Sequence, residues 1–155
     1  MRTPINVRPA EPHDLEAICN FQLAMALETE DRALDAGLVR RGVAGALGDP
    51  SRGLYRVAEL DGVVCGSLFL TKEWSDWRNG EFWWIQSVWV EGFARRKGIY
   101  RAMYEDVLCA AREDSDVCGI RLYVEETNGT ARQTYESLGM SCTGYRLYET
   151  DFGSS

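Results

Sequence analysis

Residues 95–101 read Arg-Arg-Lys-Gly-Ile-Tyr-Arg, so Arg95, Arg96, Lys97 and Arg101 gather around Gly98 in a 155-residue chain with a formal net charge of -7. Cations clustered against the overall sign of a protein create a local potential that favours an anion. Gly98 carries no Cβ, so a phosphate oxygen has close access to the backbone N–H groups beside it. Ahead of this turn, Glu81–Glu91 reads EFWWIQSVWVE, aromatic and β-branched as a buried strand is. Behind it, Ile99, Met103, Val107 and Ala110 recur at helical spacing and predict a helix from about Gly98 to Arg112. Strand, basic turn and helix start together suit phosphate, because a helix N-terminus offers unpaired N–H groups and a positive dipole end. The implied chemistry is binding of the pyrophosphate of a nucleotide-like cofactor, with an acceptor site alongside. The chain lacks the Gly-x-x-x-x-Gly-Lys-Ser/Thr loop that a nucleotide hydrolase or kinase of the P-loop class requires.

Other residues compete for roles. Asn128 stands where it can cap a helix running from about Gly129 to Leu138, and Tyr135 shares a stripe of that helix with Ala131 and Leu138. All five tryptophans fall between Trp74 and Trp89, and Glu73-Trp74-Ser75-Asp76-Trp77 mixes aromatic faces with carboxylates. Such a surface suits a cation, so Trp74, Asp76 and Trp77 are candidates for lining the acceptor site, although hairpin packing accounts for tryptophans equally well. The five cysteines are odd in number and contain no Cys-x-x-Cys pair, which fits a reduced, cytoplasmic protein with small buried thiols. One histidine, His13, excludes a multi-histidine metal site, so no metal is expected. The acidic balance excludes general nucleic-acid or anionic-membrane binding, and no run approaches the ~18 apolar residues of a membrane span. A secretory hydrophobic segment is not visible in the polar N-terminus.

These residues need a scaffold. The pattern predicts a strand at Ile5–Arg8, a helix from Asp14 to about Leu27 with Asp14 as its cap, a charged bend at Glu28–Asp31, and a helix from about Asp35 to Leu47. A hairpin follows, Leu54–Leu60 and Val63–Thr71 around Asp61-Gly62, then a loop at Lys72–Gly80. The strand Glu81–Glu91 is apolar on both faces and is therefore central, with helices above and below. Ile120–Glu125 reads as the next strand, reached by a right-handed parallel crossover through the helix 98–112. Cys142–Glu149 reads as a last strand. One domain over residues 1–150 and a flexible tail at 151–155 are expected.

Two motifs, in order and with these elements between them, resemble the GNAT superfamily of acyl-CoA-dependent N-acetyltransferases over nearly the whole chain. The first is Val88-Trp89-Val90 followed by Arg95-Arg96-Lys97-Gly98-Ile99-Tyr100. The second is Asn128, Ala131, Tyr135 and Leu138-Gly139-Met140. The resemblance implies an α+β (α/β) GNAT fold, with a mixed, mostly antiparallel sheet of about six strands, a parallel strand–helix–strand crossover and helices on both faces. It implies that Arg95 to Arg101 hold the pyrophosphate of acetyl-CoA, or another acyl-CoA. The backbone groups of Val88 and Val90 would pair with the pantetheine arm, which Asn128 also touches, and the Tyr135 phenol would act as general acid toward the leaving thiolate. The valines also read as core, Asn128 as a helix cap and Tyr135 as packing.

Three features depart from the family pattern. Tyr100 stands where a small residue is usual, and its spacing from Tyr104 lets the two rings stack. Trp84 falls near the position where relatives carry a strand-borne Glu, and Gln86 on the same face accepts no proton; both are candidates for lining the acceptor site. Candidate bases are Glu81 on the strand and Glu28 or Glu30 at the bend, which in this fold overhangs the acceptor site. Only one strand follows the last helix, so either it pairs beside the preceding strand or a homodimer supplies an edge. The function expected is direct transfer of acetyl from acetyl-CoA to a primary amine of a small molecule or peptide. The alternative is a catalytically weak acyl-CoA-binding sensor or partner-binding module on the same fold.

Overall fold

A computed structural model describes residues 4–153. The described elements are β1 (Ile5–Pro9), α1 (Leu15–Glu30), α2 (Ala36–Leu47), β2 (Leu54–Leu60), β3 (Val63–Ser75), β4 (Gly80–Val90), α3 (Ile99–Glu113), β5 (Val117–Leu122) and α4 (Gly129–Ser137), with short 3-10 turns at Pro12–Asp14 and Gly92–Ala94. The chain divides into two compact units, the first ending at Leu122 and the second beginning at Tyr123.

The first unit holds one five-stranded sheet in the order β1-β2-β3-β4-β5, antiparallel throughout except for the parallel β4–β5 pair. Its β2–β3 turn has positive φ at both Asp61 (53°) and Gly62 (75°), as a two-residue hairpin requires. Residues on opposite faces of β2 meet different helices. Val57 is fully buried with Ile18 and Cys19 of α1 and Val43 of α2, whereas the neighbouring Arg56 reaches Asp106 of α3 at 3.4 Å. Strand β4, expected to be central, is second from the edge, with β3 in the middle of the sheet; it packs against both α1 and α3, and Ile99, Met103 and Val107 of α3 are buried as the sequence predicts. Gly66 lets α3 come close: a Cβ there would lie 2.9 Å from the Trp89 carbonyl oxygen and 3.3 Å from Ile99.

Several boundaries differ from expectation for physical reasons. Helix α1 continues through Glu28 and Glu30 and stops only at Asp31, which adopts a left-handed φ of 50°, so the expected charged bend is its last turn. Asp14 caps nothing in α1. It is 2% exposed, and its carboxylate accepts from Arg8 at 2.8 and 3.0 Å and from the Glu11 N–H at 2.7 Å. Lys72–Ser75, expected as loop, extends β3 and pairs with Trp83 to Gly80. Lys72, Glu73 and Trp74 are exposed, so neither face shows an apolar alternation. Strand β5 lies three residues earlier than expected. Gly119, which looks like a strand breaker, makes room for the Phe82 ring, 2.6 Å from where a Cβ would sit.

In the second unit, α4 starts at Asn128, whose side chain accepts from the Ala131 N–H at 3.1 Å. It ends in a Schellman motif: Gly139 (φ 92°) donates to the Glu136 carbonyl and Met140 to that of Tyr135. The expected strand Cys142–Glu149 is absent among the described residues, so the sheet has five strands rather than about six. An alternating pattern records only the capacity to pair. Here the segment has no strand partner among the described residues and leaves Tyr145, Leu147 and Tyr148 exposed. Of the expected tail, residues 154–155 lie outside the described residues. No described helix is long and apolar enough to cross a membrane.

Candidate active site

The geometry of β4 creates the site in the first unit. Its parallel pairing with β5 stops at Ile85 and Leu122, while β4 itself runs on to Val90. The register with β3 also slips between Ser67 and Phe69, opposite Ser87, whose φ is 51°. This bulge bends the strand and re-aims the residues beyond it. Past the bulge, the Glu91 N–H donates to the Cys65 carbonyl at 2.8 Å. By the alternation of an antiparallel ladder, the polar groups of Val90 therefore face the opposite edge. The exit half of β4 thus presents backbone groups on a side that β5 leaves uncovered.

The turn after β4 carries the cations. Arg96 has φ 63° and Gly98 φ 84°, and α3 begins at Ile99 with Gly98 as its N-cap and no capping side chain. A Cβ built on Gly98 would meet no atom within 4 Å, so its backbone faces open space at the positive end of α3. Arg96 and Lys97 are exposed. Arg101 is bound to Glu105 one turn on, at 3.0 Å. Tyr100 stacks on Tyr104 with centroids 6.5 Å apart and planes inclined by 23°, as the four-residue spacing predicts.

Arg95 makes three hydrogen bonds and a ring contact. Its Nε donates to the Val90 carbonyl at 2.9 Å, its Nη1 and Nη2 donate to the two carboxylate oxygens of Glu28 at 3.0 and 2.9 Å, and its guanidinium lies 4.8 Å from the centroid of the Trp89 ring. Glu28, on the last turn of α1, is thereby brought to the turn after β4. Glu30 is exposed on the same helical turn.

The other candidates of this unit lie elsewhere. Glu81 pairs with Trp74 at the opposite end of β4, about 23 Å from Val88 at ~3.3 Å per residue, and its carboxylate is 3.6 Å from Lys72. Trp74 and Trp77 are exposed near the tip of the β3–β4 hairpin, and Asp76 lies in the turn between the two strands. They are not brought to the Val88–Val90 segment. Gln86 Nε2 donates to Thr71 Oγ1 at 2.6 Å, and Trp84, half-buried, pairs with Thr71 on one side and Arg121 on the other. Sequence reasoning missed Ser87 and Gly66. The one available signal was small residues on both strands, Gly66-Ser67 on β3, which pair with Val90 and Trp89, and Ser87 on β4 at the register slip just beyond them.

Asn128, Ala131 and Tyr135 belong to the second unit, with Tyr135 half-buried on α4 and Asn128 acting as the helix cap the sequence predicts. Of the cysteines, Cys19 and Cys65 are buried, and burial pushes both thiols up, away from the thiolate a nucleophile needs. Among the described residues, no group of His, Cys, Asp and Glu is arranged to hold a metal ion.

Comparisons with known proteins agree with this architecture. A crystal structure of a possible acetyltransferase from Clostridium difficile 630 matches with a TM-score of 0.89 and 41% identity, covering 95% of this chain and 97% of that one. A predicted acetyltransferase from Clostridium acetobutylicum, solved with acetyl-CoA, matches with a TM-score of 0.75 at 18% identity over 95% and 96% of the two chains. A ribosomal-protein-alanine N-acetyltransferase from Brucella melitensis biovar Abortus 2308 gives 0.76 at 18% over 97% and 100%. Comparison with curated proteins gave no match. The model of the acetyltransferase (GNAT) family matches residues 16–140, from α1 through the Schellman turn that ends α4, and the chain belongs to that family of acyltransferases.

Proposed function

We propose that this protein transfers an acetyl group from acetyl-CoA to a primary amine of a small molecule or peptide, by direct attack. The observation that carries the reading is the start of α3: an uncapped helix N-terminus at a left-handed glycine facing open space, flanked by exposed Arg96 and Lys97, just past a strand edge that β5 leaves bare. A diphosphate fits such a place, since the first turn of a helix presents N–H groups and a positive dipole end to an anion. The cofactor solved with the Clostridium acetobutylicum relative is of this class.

Acetyl-CoA supplies a thioester whose carbonyl accepts the amine. The chain's own residues do the rest. Gly98, Ile99, Tyr100 and Arg101 offer backbone N–H groups to the pyrophosphate, and Arg96 and Lys97 offset its charge. Val88 and Val90 pair through their backbones with the amide-bearing arm, and the Val88 N–H polarises the carbonyl oxygen. Asn128 and Ala131 contact the same arm. The Tyr135 phenol gives a proton to the departing sulfur. Among the candidate proton acceptors, Glu28 is the one whose side chain reaches the turn, and it is already bound. A water relay, or capture of an amine that is already neutral, therefore serves better than Glu28, Glu30 or Glu81. The free cysteines fit a reducing cytoplasm, and a homodimer supplying a sixth strand is part of the proposal.

Calorimetry with acetyl-CoA, followed by a thiol-release screen over amines, tests the reading. Binding with amine-dependent release of CoA supports it; no binding overturns it. The engaged Glu28 and the remote Glu81 favour a second reading, an acyl-CoA sensor. Binding without release across a broad amine panel selects that one.

A further inference from the structure

We infer that Arg95 is a positioning residue rather than a phosphate ligand, and that Glu28 is its anchor. The inference rests on the acyl-CoA reading for its function but on geometry for its substance. A guanidinium grips phosphate through two parallel N–H bonds from one edge of its plane. In Arg95 the Nη1–Nη2 edge is taken by both oxygens of Glu28, Nε is taken by the Val90 carbonyl, and one face is against the Trp89 ring. No edge of the fork keeps two free, parallel donors. The charge is also compensated by Glu28, although Arg95 is 42% exposed, and no ion pair among the described residues engages its exposed neighbours Arg96 and Lys97.

What Arg95 does instead is set by what it joins. Glu28 sits on the last turn of α1, Val90 is the last residue of β4, and Arg95 itself opens the turn into α3. One side chain ties three elements together just before the two left-handed residues, Arg96 and Gly98. Those conformations carry a cost for Arg96 in particular, since a side chain disfavours positive φ, and a fixed Arg95 holds the chain in them. Glu28 is then part of the cofactor turn through Arg95. Its two oxygens are committed to the guanidinium, which assigns it an anchoring role.

The test compares wild type with Glu28→Ala, Arg95→Ala and the double variant, each read twice. In the ligand-free protein, amide hydrogen exchange of residues 94–99 is followed. With CoA, the dissociation constant is measured at low and high salt. Glu28→Ala is expected to speed exchange in that segment by about three- to fivefold, the scale of one partly exposed ion pair. It is expected to weaken CoA binding about as much as Arg95→Ala does, and the double variant is expected to be no worse than either, since the two act as one unit. The salt dependence of binding stays as in wild type, because no phosphate-contacting charge is lost. Arg95→Ala that weakens binding and flattens the salt dependence, with Glu28→Ala binding normally or more tightly, overturns the inference and makes Arg95 a phosphate ligand. If wild type binds no CoA, the acyl-CoA reading falls, and the exchange result alone decides: unchanged exchange in Glu28→Ala refutes the positioning role, and faster exchange supports it.

Discussion

Replacing Gly98 by alanine separates the two things this glycine does. Its φ of 84° is left-handed, and an L side chain there costs about 1 kcal/mol. For a chain of this length that cost lowers Tm by about 2–4 °C. No steric clash adds to it, because the added Cβ meets no atom of another segment within 4 Å among the described residues. The methyl group would instead stand in the space through which a phosphate oxygen reaches the first N–H groups of α3. A hydrogen bond to a charged partner is worth about 1.5–3 kcal/mol, so displacing one such contact weakens CoA binding by about 10- to 150-fold. Gly98→Asn dissects the two effects, because asparagine tolerates left-handed φ better than alanine does. It recovers most of the lost Tm while keeping the loss of affinity. The assays are a thermal melt and CoA calorimetry on the same preparations. A Gly98→Ala protein that loses a few degrees yet binds CoA within a factor of two of wild type would refute the reasoning, since the pyrophosphate would then not approach this backbone.

Gly66→Ala is the opposite case: its Cβ would press on the Trp89 carbonyl at 2.9 Å, and overpacking of this kind costs about 1–3 kcal/mol, so Tm falls by about 2–12 °C. An unchanged melt would mean that β3 and β4 can part enough at Trp89 to admit the methyl group. Tyr135→Phe should lower kcat by about 100-fold with little effect on CoA affinity if the phenol protonates sulfur, and near-normal turnover would return Tyr135 to packing. Asp14→Asn removes half of a buried pair and costs about 2 kcal/mol at neutral pH, less than a fully buried pair because Arg8 is 21% exposed. Burial alone would raise the Asp14 carboxyl, but hydrogen bonds from Arg8 and the Glu11 N–H and the Arg8 charge outweigh it and hold the group below the ordinary range. The Asp14 stabilisation is therefore complete above the unfolded-state value near ~3.9 and fades as pH falls through the lower folded-state value. Melts from pH 7 down to pH 2 should accordingly bring wild type and Asp14→Asn together, and a constant gap would deny the linkage.

Elements whose rules are local were legible in the sequence. Asp61-Gly62 specified its hairpin because two positive φ values in succession suit few other residue pairs. Asp35 and Asn128 stand at the expected helix starts, and each accepts from an N–H three residues on, Leu38 and Ala131. Gly139 ended α4 for a similarly local reason. The sequence misleads where a partner distant in the chain decides. Gly119 has the look of a strand break, but its role is set by the Phe82 ring across the sheet. Cys142–Glu149 has strand-like residues, and no pattern within it reveals whether an edge is available to pair with it.

The site divides along the same line. The motif from Arg95 to Tyr100 was legible because it describes backbone: a glycine where φ must be positive, a helix start, a turn of fixed length. Its side chains were not, because what a side chain does depends on what reaches it. Glu28 is 67 residues from Arg95 in the chain, and nothing between them signals that the end of α1 returns to the exit of β4. Charge alone makes Arg95 look like a phosphate ligand and Glu28 like a base. The bidentate contact occupies both groups with each other. The bulge at Ser87 had the same invisibility, for it exists only in the slip of register against β3. A one-residue slip changes which groups face which edge, and the reading of Val90 as an outward-facing acceptor rests on that slip rather than on the identity of Val90.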